Sequence, residues 1–248
     1  MNETMMLNYA FAIDRIISGE YIYPVFQPIV SLKDGSILGY EALSRVCPES
    51  GDACVQIDML FNLAITCNKL WELETLCRKK TLEAAAQIGD LKLFLNVNPN
   101  IIHDEVFKKG FTYEYLNKYG INAQNVIFEI TERTAVNDLK TFKDAIGHYK
   151  GQGYQVAIDD MGAGYSGYNM IIETNPQYLK IDMNIVRNID KDDIKRYLIK
   201  SLVQFSGNAG IKLIAEGIET SDELCTLIKL GVEYGQGFYL DVPSKELR

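Results

Sequence analysis

The chain has few of the residues that build soft-metal sites and covalent staples. Only two histidines occur in 248 residues, and the five cysteines (Cys47, Cys54, Cys67, Cys77, Cys225) form no Cys-x-x-Cys pair. A zinc finger or disulfide scaffold is disfavoured, and an odd cysteine count fits a reducing compartment. Basic charge is also short: 33 acidic residues stand against 25 basic ones, a formal net charge of −8. A non-specific nucleic-acid binder needs a basic face to displace counterions, so that class is set aside. A small phosphorylated substrate stays open, because a bound metal ion inverts the local field. No stretch is apolar for long enough to span a membrane. The opening MNETMMLNYAFAIDRIIS carries acids and lacks the apolar centre of a signal peptide. The expected location is the cytoplasm.

No Pro/Ser-rich linker or low-complexity tract divides the chain. Short apolar runs rich in Val, Ile, Leu and aromatics alternate with helical patterns. YPVFQPIVSL and SILGYEALSRV are joined by Asp34-Gly35, a hairpin signal, so the first two strands are expected to be antiparallel. A helical stretch follows from Gln56, broken near Leu70, with Gly89 as its expected C-cap. Later helices are expected over about 103–119, 138–149, 168–173, 185–208 and 221–229, the last with Ser221 as N-cap. About eight strands separated by helices imply a mostly parallel sheet with helices outside. The expected fold is α/β, a TIM-like (β/α)8 barrel with an antiparallel first strand pair; a Rossmann-like open sheet is second. Residues 21–248 form the expected barrel, and residues 1–20 read as an N-terminal helix or linker remnant.

Polar residues fall at the strand ends: Glu41, Asn96, Glu129, Asp159 with Asp160, Lys180 with Asp182, Glu216 with Glu219, and Gln236. In a barrel the C-terminal strand ends converge on one face, which carries the active site. Carboxylates crowded there cannot all stay ionised without cations or protons. The set is oxygen-only, which suits hard divalent ions, Mg²⁺ or Mn²⁺.

The segments YEALSRV, FLNVNP, FEITE, IDDMGAGYS, YLKID, IAEGIET and YGQGFYL occur in this order from about Tyr23 to Pro243. Together they resemble the EAL-domain cyclic di-GMP phosphodiesterases. That resemblance implies two divalent cations and hydrolysis of cyclic di-GMP to linear pGpG. It implies Glu41, Asn96, Glu129, Asp159, Asp160 and Glu216 as metal ligands, with Asp159 bridging. Lys180 is implied near the attacking water, where cations would lower its pKa. Arg45 is implied at a substrate phosphate, Gln27 and Leu43 along the nucleotide pocket, and Gln236 near substrate and metal water.

Glu219 resembles an acid that pins the glycine-rich segment 162–167, which in this family links metal binding to a homodimer contact. Met161, Ala163 and Asn98 depart from the usual Phe, Thr and Ser. Taken singly, these residues read as turn formers, caps, a surface lysine and a surface ion pair. A silent cyclic di-GMP receptor that signals through a partner is the alternative. A barrel glycosidase would need one carboxyl pair and leave the remaining acids unexplained. A regulatory domain or partner outside this chain is also expected.

Overall fold

The expected hairpin forms from Ile22–Ser31 (β1) and Ile37–Val46 (β2), which pair antiparallel. Gly35 closes it at a φ of +75°, a conformation glycine takes without a Cβ clash. A computed structural model of the protein describes residues 3–47, 56–131, 139–162 and 167–247. Lys92–Asn96 (β3), Val126–Thr131 (β4), Gln155–Met161 (β5), Tyr178–Ile181 (β6), Lys212–Ala215 (β7) and Tyr234–Gly235 (β8) follow. The eight strands close into a barrel in chain order. Strands β2 to β8 run parallel to one another, whereas β1 is antiparallel to its two neighbours, β2 and β8. The open-sheet alternative is thereby removed.

Strand alternation sets the two levels of the barrel interior. Ile29, Phe94, Ile127, Ala157, Tyr178 and Ile214 pack together as one apolar cluster. Successive side chains of a strand point to opposite faces, so the residue two further on faces inward again. From Phe94 that residue is Asn96, from Ile127 Glu129, from Ala157 Asp159, from Tyr178 Lys180, and from Ile214 Glu216. On the reversed β1 the same step runs backward, from Ile29 to Gln27. An apolar floor thus carries a polar layer towards the C-terminal strand ends.

The helices cover the outside: Glu3–Ser18 (α1), Ile57–Thr66 (α2), Leu70–Ala84 (α3), Phe111–Tyr119 (α4), Leu139–Lys150 (α5), Gly167–Thr174 (α6), Met183–Val186 (α7), Asp193–Ala209 (α8) and Ser221–Leu230 (α9). Helix α1 packs on the barrel side, where Ile13 and Ile16 are buried with Leu60, Ala64, Leu73 and Cys77. Glu20, just past its end, receives Lys79 and Lys80 of α3, both at 2.6 Å.

Several boundaries differ from the sequence reading. The helix expected over 185–208 is α7, a 3₁₀ turn (Ile189–Lys191) and α8, because Asn188 turns left-handed and Asp192 caps α8 with its side chain. The stretch 103–119 likewise divides into a 3₁₀ helix, Pro99–His103, and α4, which starts after Gly110 at a φ of +87°. Helix α3 ends at Ala84 with Ala85 as its C-cap, four residues before Gly89. Thr220, not Ser221, caps α9: its hydroxyl accepts from Glu223 N–H while the Glu223 carboxylate accepts from Thr220 N–H, a reciprocal capping box. Only Tyr234 and Gly235 of YGQGFYLDVP are strand.

Candidate active site

Lys180 stands at the centre of the polar layer and is wholly buried. Its Nζ lies 2.8 Å from Glu129, 2.8 Å from Glu216, 3.1 Å from Glu41 and 3.2 Å from Asp159. Burial alone would lower the lysine pKa. The four carboxylates outweigh it and hold the ammonium well above its ordinary range. The chain's own charges therefore act opposite to the lowered pKa expected of Lys180 beside cations.

The carboxylates differ among themselves. Burial pushes Glu129 and Glu216 well above the usual carboxylate range, and the neighbouring acids add to the push. Burial pushes Glu41 the same way, but Lys180 and hydrogen bonds from Gln236 and Asn96 bring it below its ordinary value. The Gln236 amide donates to Glu41 Oε2 at 2.7 Å and to Glu216 Oε1 at 2.9 Å. Asn96 Nδ2 donates to Glu41 Oε1 at 2.9 Å, which leaves the Asn96 carbonyl oxygen free of that bond. Glu41 sits mid-strand in β2 rather than at its end, because β2 runs ten residues and continues past the site.

Asp159 and Asp160 are consecutive, and regular alternation would send them to opposite faces. The β5–β6 register shifts between Ile158 and Met161, and Asp160 adopts a φ of +57°. This irregularity brings both carboxylates to the same side. Asp159, Asp160 and Glu216 each offer an oxygen, and the three atoms lie within 4.8 Å of one another. Glu129 Oε1 and Asp159 Oδ1 have the Lys180 ammonium as ion-pair partner, whereas Glu129 Oε2 and Gln236 Oε1 are buried without a hydrogen-bond partner among the described residues. Four carboxylates around a single ammonium leave an excess of buried negative charge unless protons or cations join them. An oxygen-only donor set with a buried, unpartnered Glu129 oxygen and the Asp159, Asp160 and Glu216 oxygens close together fits hard divalent cations.

A cavity of about 550 Å³ opens onto this layer, lined by Glu41, Leu43, Arg45, Asn96, Asp159 and Asp160 among others. Arg45 Nη1 donates to the Ser44 carbonyl at 2.9 Å. Gln27 lies outside this lining, buried opposite Glu41 in the β1–β2 register, with its amide 3.4 Å from the Asp241 carbonyl. Glu219 is exposed and ion-paired with Arg187 at 2.5 Å. The glycine-rich segment it was expected to pin includes 163–166, outside the described residues, as is Ala163. Asp182 is no part of the pocket: it caps α7 by accepting from Asn184 N–H at 2.7 Å.

The sequence reading missed Glu74 and Arg78, which also line the cavity. They form a buried ion pair at 3.0 Å. The available signal was their position in the stripe Leu70, Leu73, Glu74, Cys77, Arg78, Thr81, where helical spacing makes every residue a core residue.

Residues 12–243 match the EAL domain family. The chain is 29% identical over 217 residues to the probable cyclic di-GMP phosphodiesterase PdeB of Escherichia coli, covering 86% of this chain and 41% of that one. It therefore spans about two fifths of that relative's length. A standalone versatile EAL protein from Vibrio cholerae, solved bound to c-di-GMP, is similar with a TM-score of 0.74 and 31% identity, over 92% of this chain and 94% of the other. BlrP1 of Klebsiella pneumoniae, solved in a calcium and cyclic di-GMP complex, is similar with a TM-score of 0.82 and 27% identity, over 92% of this chain and 57% of the other.

Proposed function

Because the chain belongs to the EAL domain family, we propose that it is a metal-dependent phosphodiesterase that hydrolyses cyclic di-GMP to linear pGpG. One observation carries the reading: acids and amides from six strands or their ends gather around one buried lysine beneath an open cavity. Glu41, Asn96, Glu129, Asp159, Asp160 and Glu216 would hold two divalent cations, Mg²⁺ or Mn²⁺. When bound, the cations stabilise charge on the scissile phosphate and acidify water.

The remaining roles belong to the chain's own side chains. Gln236 ties Glu41 to Glu216, so two donors from opposite parts of the ring keep a fixed separation. Asn96 is oriented by its bond to Glu41. Lys180 holds the carboxylates together and, as an ammonium, is placed to orient the attacking water; it would take a proton only where bound cations lower its pKa. Arg45 supplies a planar donor fork for a substrate phosphate, and Leu43 and Gln27 shape the nucleotide side of the cleft. Residues 21–248 act as the catalytic barrel in the cytoplasm, as a homodimer, with regulation entering through residues 1–20 from a domain or partner outside this chain.

The test is incubation with cyclic di-GMP and Mg²⁺ or Mn²⁺, with chromatography of the products, repeated in EDTA. Formation of pGpG that EDTA abolishes is expected. Binding without pGpG moves the protein to the silent-receptor reading, and absence of binding defeats both.

A further inference from the structure

Helix α3 reaches into the site by a route that none of the proposed ligand roles uses. Glu74 is buried, and its two oxygens do different things. Oε2 pairs with Arg78 at 3.0 Å. Oε1 accepts from the backbone N–H of Asn98 at 2.8 Å. Asn98 lies two residues beyond Asn96, where the chain leaves β3 and enters the 3₁₀ helix Pro99–His103. The turn is held a second time by α3, whose Trp71 N–H donates to Asp104 at 3.3 Å. Between them, Val97 N–H donates to the Glu129 carbonyl at 3.1 Å.

Burial pushes Glu74 above its usual range, and Arg78 opposes that push while holding Oε2. Its Nη1 donates to Thr112 at 3.1 Å, and its guanidinium lies over the Phe128 ring, 5.2 Å from the centroid. Phe128 immediately precedes Glu129 on β4. A buried pair of this kind is a weak source of stability, since well-packed apolar residues often replace it at no loss. A directional role accounts for the pair better than stability does, and Oε1 has one.

We infer that Glu74 is a positioning residue of the metal site: by accepting the Asn98 N–H it fixes the turn after β3 and so aims the Asn96 amide at Glu41 and the cations. This rests on the reading of the carboxylate layer as a metal site. Outer partners that orient a metal ligand typically change metal affinity by about 10–100-fold when removed.

The experiment measures Mn²⁺ binding calorimetrically in purified protein without substrate, alongside thermal unfolding. Asn98→Pro removes the N–H at a φ of −82°, which proline tolerates, and also removes the side-chain cap on Asn100. Asn98→Ala removes only the cap. Proline is expected to weaken Mn²⁺ binding by about tenfold relative to alanine. The complementary pair keeps Asn98 and replaces the ion pair. Glu74→Gln with Arg78→Met retains an acceptor for Asn98, whereas Glu74→Leu with Arg78→Met does not. The leucine double variant is expected to bind Mn²⁺ about tenfold more weakly than the glutamine one at a similar Tm. Should either proline or leucine variant fail to fold, the other comparison decides. Equal Mn²⁺ affinity within a folded pair overturns the role of Glu74. A wild-type protein that takes up no Mn²⁺ overturns the metal-site reading instead.

Discussion

Replacing Lys180 by methionine removes the ammonium group around which Glu41, Glu129, Asp159 and Glu216 gather, and keeps most of the side-chain volume. The site is buried, so the loss is not screened as a surface pair would be. Removing one partner of a buried pair costs about 3–5 kcal/mol, because the remaining charge is left uncompensated. At about 2–4 °C per kcal/mol for a chain of this size, Tm in EDTA at pH 8 should fall by about 6–20 °C.

The pH dependence has a definite sign. Burial already pushes Glu129 and Glu216 up, and in the variant they hold protons at higher pH than the same groups in the unfolded chain. The folded state then binds more protons than the unfolded one, so stability falls as pH rises. The Tm gap from wild type should accordingly be smaller at pH 5 than at pH 8. Divalent cations restore the missing positive charge, and Mn²⁺ at a hundred times its Kd adds about 2.7 kcal/mol to any protein that binds it only when folded. The Mn²⁺-induced rise in Tm should be larger in the variant than in wild type. Turnover should be lost while cyclic di-GMP binding stays nearly intact. Scanning calorimetry in EDTA and in Mn²⁺ at the two pH values, with a binding titration, checks all of this. A variant as stable as wild type in EDTA at pH 8 refutes the electrostatic account, and near-normal kcat removes Lys180 from the mechanism.

Asp159→Asn should abolish metal-dependent hydrolysis in the product assay, and retained activity would return the Asp159-Asp160 pair to being a turn. Thr220→Ala breaks the capping box of α9 and should cost about 1 kcal/mol by thermal unfolding, with kcat unchanged; an unchanged Tm would argue against that cap. Burial pushes the Cys77 thiol up to about 12. Alkylation at pH 8 followed by peptide mapping should therefore label exposed Cys225 and spare Cys77 until the protein unfolds; equal labelling rates would contradict the packing of α3.

The barrel was legible because its signals are local and repeated. Strand runs such as 126–130 are apolar but for the inward-facing Glu129, as strands covered on both faces tend to be, and Asp34-Gly35 marks a tight hairpin at the start of the barrel. The polar layer was legible for the same reason, since one acid or amide follows most runs. The irregular parts were not. The β5 irregularity that turns Asp159 and Asp160 to one side depends on Asp160 at positive φ, which a pair of aspartates does not announce. Asn188 ends one helix and Asp192 starts another within a stretch whose apolar spacing reads as continuous. Glu74 and Arg78 fall in the core stripe of α3, but helical spacing does not show that Glu74 also accepts the Asn98 N–H in the turn after β3.

The reversed first strand has a consequence for how the molecule is entered. Ile22 at the start of β1 is opposite Val46 at the end of β2, so α1 joins the barrel at the rim where the carboxylates lie. In an all-parallel barrel the same helix would feed the far rim, with the full height of the wall between it and the chemistry. Here contacts run from the end of α1 through Glu20 to the two lysines of α3, and from Glu74 of α3 to the turn after β3, without crossing the barrel floor. The doorway and the workbench share one side of the house.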